Sequence, residues 1–293
     1  MAAAIDALEA AFAAEHLPDA PLRSHVETGA GTLLLMPSHG AVGVGVKLVT
    51  LTPANPERGR PFIHAVYVLF DAEGQAPVAV IDGAALTALR TGAVSGVATR
   101  HLARPQARRL VVYGAGVQAA SHVDAMRSVR PIEEVVVVSR DRDRAEAFAR
   151  ALPIRAMVGQ PGAERDADIV CTCTTSSEPV VAGRWLPDGV HVNAVGAYTT
   201  SMRELDAEAV ARAKVVVETR DAASAEAGDL ALAMAEGAIG PDHVLADLHE
   251  LVTADAIRTS ERDVTLFESV GVASEDLVVA SAAVERLAGG DAV

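Results

Sequence analysis

Three cations stand out in the N-terminal part of the chain: Arg23, just after Pro21; Lys47, inside Gly43-Val-Gly-Val-Lys-Leu-Val; and Arg90, inside Leu89-Arg-Thr-Gly-Ala. Lys47 is the sharpest of them, because its strand is otherwise apolar or glycine, and a lysine there faces a core unless it points into a cavity. The plainer alternatives are an edge-strand lysine that blocks aggregation and, for Arg90, an ion pair on a helix surface. A second group of residues suggests a ligand of its own. Arg109-Leu-Val-Val-Tyr runs straight into Gly114-Ala-Gly116-Val117-Gln118-Ala119, a G-x-G-x-x-A spacing between a strand and a helix. Gly114 permits the tight turn, Gly116 lets a pyrophosphate approach the backbone, and Ala119 lets the helix pack closely on the strand. The helix N-terminus then offers unpaired N–H groups and partial positive charge to phosphates.

A second strand, Glu134-Val-Val-Val-Val-Ser139-Arg140, follows after one helix, so the glycines sit in a strand-helix-strand unit. NAD sites usually place an acid at the end of that strand to accept from the ribose 2′-hydroxyl. Here Ser139 and Arg140 stand there, with Arg144 close behind, and a hydroxyl with a guanidinium suits a 2′-phosphate instead. NADP(H) is therefore the favoured cofactor. NAD(H) stays possible, since Asp141 is one step away. Thr174 and Gly196 fall at the carboxyl ends of two further strands, the edge at which open parallel sheets bind ligands.

Other chemistries find no support in the pattern. The 9 histidines are dispersed, no serine lies in a nucleophile elbow, and no His or Cys pair has metal-ligand spacing, so no metal is expected. Acidic residues outnumber Lys plus Arg by 39 to 25, a formal charge of −14 that argues against a nucleic acid or an anionic membrane as partner. Any small anion must be held by a local cluster of cations working against that field. Cys171 and Cys173 suit neither a disulfide framework nor a zinc site, the N-terminus reads as a helix rather than a signal peptide, and no apolar run spans a membrane. A cytoplasmic setting is the simplest expectation.

Elements must position these groups. Residues 2–16 have helical periodicity, ended by Pro18 and Pro21. Thr32–Met36, Ala41–Val49 and Ala65–Phe70 are β-rich runs, separated by Pro37-Ser-His-Gly and by the Pro53–Pro61 loop, and the last returns through a hairpin as Ala76–Ile81. A helix from Ala84 to His101 leads to Pro105. Beyond it strands and helices alternate, with strands at Asp168–Thr174, Val190–Gly196 and Lys214–Glu218, and helices at Asp143–Leu152 and Met202–Arg212. After Pro241 the chain reads as helical. The class is α/β: a Rossmann-type doubly wound parallel sheet over 105–267, plus a smaller α+β domain with a mainly antiparallel sheet over 1–104, joined by 268–293.

Five segments carry a resemblance: Lys47–Gly59, Leu86–Ser95, Gly114–Ala119, Val192-Asn-Ala-Val195-Gly196-Ala and Asp263–Gly271. In this order they resemble the ornithine cyclodeaminase/μ-crystallin family, from about residue 20 to residue 280. The resemblance implies a homodimer built through the first domain's sheet, a nicotinamide cofactor, and a substrate carboxylate held by Arg23, Lys47 and Arg90. It also implies Thr91 and Ser95 near the cofactor phosphates. Cyclodeaminases carry an aspartate just after the Val-Asn-Ala-Val-Gly segment, where this chain has Tyr198, a poor base but a good hydrogen-bond donor to substrate. The leading expectation is therefore NAD(P)H-dependent reduction of a small ketimine or imino acid, such as Δ1-pyrroline-2-carboxylate, to an amino acid, in the cleft between domains. Lys47 either anchors the carboxylate or supplies a proton. The alternatives are an ornithine cyclodeaminase or alanine dehydrogenase, and a non-catalytic NADPH-binding crystallin-like protein. In each case the ligand is a small anionic amino, imino or keto acid or the cofactor alone.

Overall fold

The valine-rich alternation before residue 82 folds as an antiparallel meander. The computed structural model describes residues 1–254 and 256–289, and within them helix α1 (Ala2–Ala13) precedes β1 (Ser24–Thr28), β2 (Gly31–Gly40), β3 (Gly43–Leu51), β4 (Ile63–Phe70) and β5 (Pro77–Asp82), which pair in chain order. Helix α2 (Gly83–Leu102) follows. Lys47 stands opposite Met36 on β2 and Tyr67 on β4. Because side chains alternate across a strand, Gly45, Lys47, Val49, Tyr67 and Leu69 share one buried face, while Val44, Val46, Leu48, Val66 and Val68 share the other, which is only half covered.

The second sheet is parallel. It is built from β6 (Arg109–Tyr113), β7 (Glu134–Val138), β8 (Arg155–Val158), β9 (Ile169–Thr172), β10 (His191–Ala194), β11 (Lys214–Val217), β12 (Val244–Asp247) and β13 (Thr265–Glu268). Between them run α3 (Val117–Val129), α4 (Arg142–Ala151), α5 (Ala207–Arg212), α6 (Arg220–Glu226), α7 (Gly228–Ala235) and α8 (Leu248–Thr253); α9 (Ala273–Ala288) closes the described chain. The strand order is β12-β11-β13-β10-β9-β6-β7-β8, so the direction of winding reverses between β6 and β9, beside the Gly114 turn. Strands such as Leu110–Tyr113 and Val135–Val138 are buried along their length, which is why they read as unbroken apolar runs rather than alternating ones. Their core joins Leu110, Val112, Val135, Val137 and Ile169 to Ala119, Val123 and Met126 of α3.

The described chain divides into two compact units, one of Met1–Ala2 with Thr91–Gly271 and one of Ala3–Arg90 with the chain from Val272 onward. In the meander unit, Ala273 of α9 packs on Leu34, Met36 and Val49 of the inner sheet face. The last four residues of the expected C-terminal segment, 290–293, lie outside the described residues.

Several local expectations need correction. Pro37-Ser-His-Gly does not break the sheet: β2 runs through it, and β1 pairs only with Gly31–Leu35, so Pro37 has no β1 residue needing its missing N–H. The expected helix at 202–212 is confined to α5, with its N-terminus fixed by Asp206, whose carboxylate accepts from Ala209 N. The chain after Pro241 is not simply helical. It supplies β12 and β13, the latter inserted between β10 and β11.

Candidate active site

In the meander unit the three cations come together. Lys47 is 1% exposed on a central strand, so it is no edge-strand guard. Its ammonium donates to Asp276 Oδ1 at 2.9 Å and lies 2.8 Å from Oδ2. Arg90 donates through Nη1 to Glu275 Oε2 at 2.7 Å, and its Nε lies 3.2 Å from Asp276 Oδ1. Glu275 and Asp276 occupy the first turn of α9 and are themselves buried. Such a quartet is stable only because the charges are matched; removing one member of a buried pair costs about 3–5 kcal/mol. Arg23 is half-buried, and near enough for its charge to act on Lys47. Burial pulls the Lys47 pKa down to about 8; Asp276 opposes the fall, while Arg90 and Arg23 add to it. The lysine is therefore mainly protonated at neutral pH. Sequence reasoning missed Glu275 and Asp276, because acids in the first turn of a helix read equally well as partners of the helix dipole.

The parallel-sheet unit carries the nucleotide features. Gly114 has φ +112°, and a side chain there would meet the Cys173 carbonyl oxygen at 2.6 Å. Gly116, by contrast, has open space around a built Cβ and caps α3 with no side-chain hydrogen bond. The first turn of α3 thus presents backbone N–H groups beside an open approach, as a pyrophosphate needs. Val117 is exposed, whereas Ala119 is buried against the strand. Gln118 Oε1 and the Thr91 hydroxyl are buried oxygens with no hydrogen-bond partner among the described residues, which also fits a polar group bound nearby. Ser95 is fully buried and donates to His122 Nε2 at 3.0 Å, because His122 Nδ1 is committed to the Gln118 carbonyl at 2.7 Å. Burial lowers the His122 pKa to about 4, so the ring stays neutral.

At the end of β7, Ser139 is half-buried, and Arg140 and Arg144 are exposed. Asp141, the neighbouring acid, has a structural task. It is the N-cap of α4, with Oδ1 accepting from Arg144 N at 3.0 Å. Asp143 lies exposed in the first turn of the same helix, beside Arg142 and Arg144.

The carboxyl edge of the sheet is tied by a buried carboxylate that sequence reasoning also missed. Glu204 accepts from Thr172 Oγ1, Thr174 N and Oγ1, and Gly196 N, all at 2.6–2.7 Å. It thereby fixes the ends of β9 and β10, and with them Thr174, Val195 and Gly196. Three further buried acids lie close by. Glu218 accepts from Ser269 Oγ and from the backbone N–H groups of Val270 and Gly271. Asp229 accepts from Glu204 N and Leu205 N, and its pKa is pushed up to about 7, chiefly by burial. Glu268 has neither oxygen hydrogen-bonded among the described residues, and burial together with Asp229, Glu204 and Glu218 holds it well above the usual carboxylate range. Tyr198 is half-buried in the loop after β10. Among the described residues there is no group of His, Cys, Asp and Glu arranged to hold a metal ion, and no helix long and apolar enough to cross a membrane.

Comparison with known proteins gives a consistent set. The sequence profile of the ornithine cyclodeaminase/mu-crystallin family matches residues 1–291. A Delta(1)-pyrroline-2-carboxylate reductase of Bacillus cereus is 40% identical over 267 residues, covering 87% of this chain and 81% of that protein. The Thermococcus litoralis Delta(1)-pyrroline-2-carboxylate reductase, solved with NADH and L-proline, superposes with a TM-score of 0.92 at 36% identity, covering 98% of this chain and 93% of the other. An archaeal alanine dehydrogenase, solved as a dimer with bound NAD, gives a TM-score of 0.91 at 32% identity, covering 99% and 93%.

Proposed function

Since the chain belongs to the ornithine cyclodeaminase/mu-crystallin family, we propose that it reduces a small imino acid, of which Δ1-pyrroline-2-carboxylate is the type, to the corresponding amino acid with a nicotinamide dinucleotide. The observation that carries this reading is the buried cation cluster. Lys47, Arg90 and Arg23 bring three positive charges, while Glu275 and Asp276 supply two negative ones. Cations gathered at one largely buried point are what recognition of a small carboxylate needs. The relative from Bacillus cereus is named for this reaction, and the Thermococcus litoralis enzyme holds its amino acid product.

In this reading Arg23, Lys47 and Arg90 bind the substrate carboxylate, with the guanidinium forks setting its plane. Asp276 keeps the Lys47 ammonium in place. A dinucleotide bound there would supply hydride to the carbon of the protonated imine, which becomes the amine. Gly114, Gly116 and the first turn of α3 (Val117, Gln118, Ala119) hold its pyrophosphate, with Thr91 and Ser95 alongside. Thr174, Val195 and Gly196 line the strand ends, and Tyr198 donates a hydrogen bond to substrate. With Tyr198 where cyclodeaminases have aspartate, the chain lacks the carboxylate that ornithine cyclisation calls on.

Both solved relatives above hold the unphosphorylated cofactor, NADH or NAD. For this chain we assign a preference for NADPH, because Ser139, Arg140 and Arg144 border the end of β7 and Asp141 is occupied as a helix cap. We further assign a homodimer paired through the outer face of the meander sheet, as the archaeal alanine dehydrogenase is a dimer and that face is apolar and half covered. The test is oxidation of NADPH and of NADH with Δ1-pyrroline-2-carboxylate and with Δ1-piperideine-2-carboxylate. Turnover with either, faster with NADPH, is expected; ammonia release from ornithine with no imine reduction would replace this assignment by cyclodeamination.

A further inference from the structure

Tyr67 stands directly across the β3–β4 ladder from Lys47, on the same inner face of the sheet, and is 0% exposed. A buried phenol ordinarily finds a partner for its hydroxyl, because leaving the group dry and unpaired costs its whole hydration. Among the described residues the Tyr67 hydroxyl has no partner.

The neighbouring strand nevertheless makes room for it. A Cβ built on Gly45 would sit 1.8 Å from Tyr67 Oη. Glycine inside a strand weakens it, and Gly45 is not among the glycines with positive φ, so its backbone conformation does not call for glycine. Space for the hydroxyl does. The sheet thus forgoes a side chain at Gly45 in order to keep a polar atom that the protein itself leaves unsatisfied.

The surroundings indicate which ligand atom would satisfy it. The hydroxyl is close enough to Asp276 for that charge, together with burial, to raise its pKa and keep it in the O–H form. It is a donor without an acceptor among the described residues, directly across the ladder from Lys47, on which Arg90 and Arg23 also act. We infer that Tyr67 is a substrate-contacting residue whose hydroxyl donates to the same carboxylate that Lys47 and Arg90 bind. A neutral donor strengthens the grip on one carboxylate without adding charge that would admit a second. This inference rests on the reading of the cation cluster as a carboxylate site.

The experiment compares wild type with Y67F, which removes one oxygen atom, and with G45A, which presses a methyl group onto it. Binding of pyrrole-2-carboxylate in the presence of NADP+ is followed by calorimetry, which needs no turnover, alongside steady-state kinetics and thermal midpoints. Y67F is expected to bind pyrrole-2-carboxylate about tenfold more weakly or worse, the usual range for a hydrogen bond to a charged group. Its KM for the imine should rise by a similar factor, with NADPH affinity and thermal midpoint maintained. G45A should weaken the same ligand and lower the midpoint. Equal binding by wild type and Y67F would overturn the contact, and so would a Y67F protein that loses NADPH affinity and stability together, since that marks a structural role. Wild-type binding without imine reduction would refute the proposed reaction alone and leave the ratio of the two affinities to decide the tyrosine. Wild type that binds no carboxylate overturns both.

Discussion

Arg140 is the position at which cofactor choice can be measured one side chain at a time. It stands exposed at the end of β7 with Ser139 before it, and the carboxylate of Asp141 is bound to the backbone of Arg144. An arginine on a 2′-phosphate makes hydrogen bonds to an anion, worth about 1.5–3 kcal/mol, and at a ribose 2′-hydroxyl can donate only to a neutral oxygen, a weaker bond. R140A is therefore expected to raise the KM for NADPH about tenfold or more while leaving that for NADH within about twofold. Equal changes in both would show that Arg140 does not read the phosphate. D141A should behave differently: losing the cap costs about 1 kcal/mol of stability and leaves the NADPH-to-NADH ratio unchanged.

At the scale of elements, burial pushes up the pKa of three acids at the carboxyl edge of the parallel sheet, Glu204, Asp229 and Glu268. Asp229 keeps its proton up to about pH 7 in the folded chain, against a reference value of 3.8. Between those limits the folded state binds the extra proton, so stability falls as pH rises through that window. His122 and His191, lowered to about 4 and about 3, act in the opposite sense: they stay neutral in the fold, and stability is lost as pH drops below the ordinary histidine value toward theirs. A difference between two proteins cancels the histidines. D229N keeps Oδ1 as an acceptor for Glu204 N and Leu205 N, so its stability relative to wild type should improve from about pH 4 to about pH 7 and level off above. Urea denaturation at a series of pH values measures this, and a difference that stays flat across the window would mean that Asp229 titrates normally. The same edge shows what could be read from the sequence. The glycine turn and the long valine strands were legible because each carries its signal within a few consecutive residues. β8 and β12 are the two edge strands and only partly buried, β13 has just Leu266 and Phe267 between Thr265 and Glu268, and β1 is exposed along its length, so no unbroken apolar run marks any of them. Lys47 and Arg90 were legible as cations out of place. Their partners Asp276 and Glu275 were not, since 229 and 185 residues separate them in the chain and only the tertiary fold joins them.

At the scale of the whole molecule the relevant feature is one apolar sheet face. The outer face of the meander presents Val44, Val46, Leu48, Val66 and Val68 half covered, and β5 extends it with Val78 at 50% and Val80 at 73% exposure. Contiguous exposed apolar surface of this kind is what association surfaces are made of. V78E combined with V80E alters only exposed side chains and should convert a dimer into a monomer in sedimentation experiments; a variant that sediments like wild type would remove this face from consideration. The strand that feeds this face also holds the lysine. On β3, Val46 and Leu48 point outward, while Lys47 between them points to Asp276. With the proposed pairing through this face, whatever loosens two copies also loosens the ladder on which the ammonium is mounted. Mass action would then give the enzyme a working concentration: diluted below the dimer dissociation constant, the protein should lose activity per molecule, and regain it when a surplus of an inactive copy is added back.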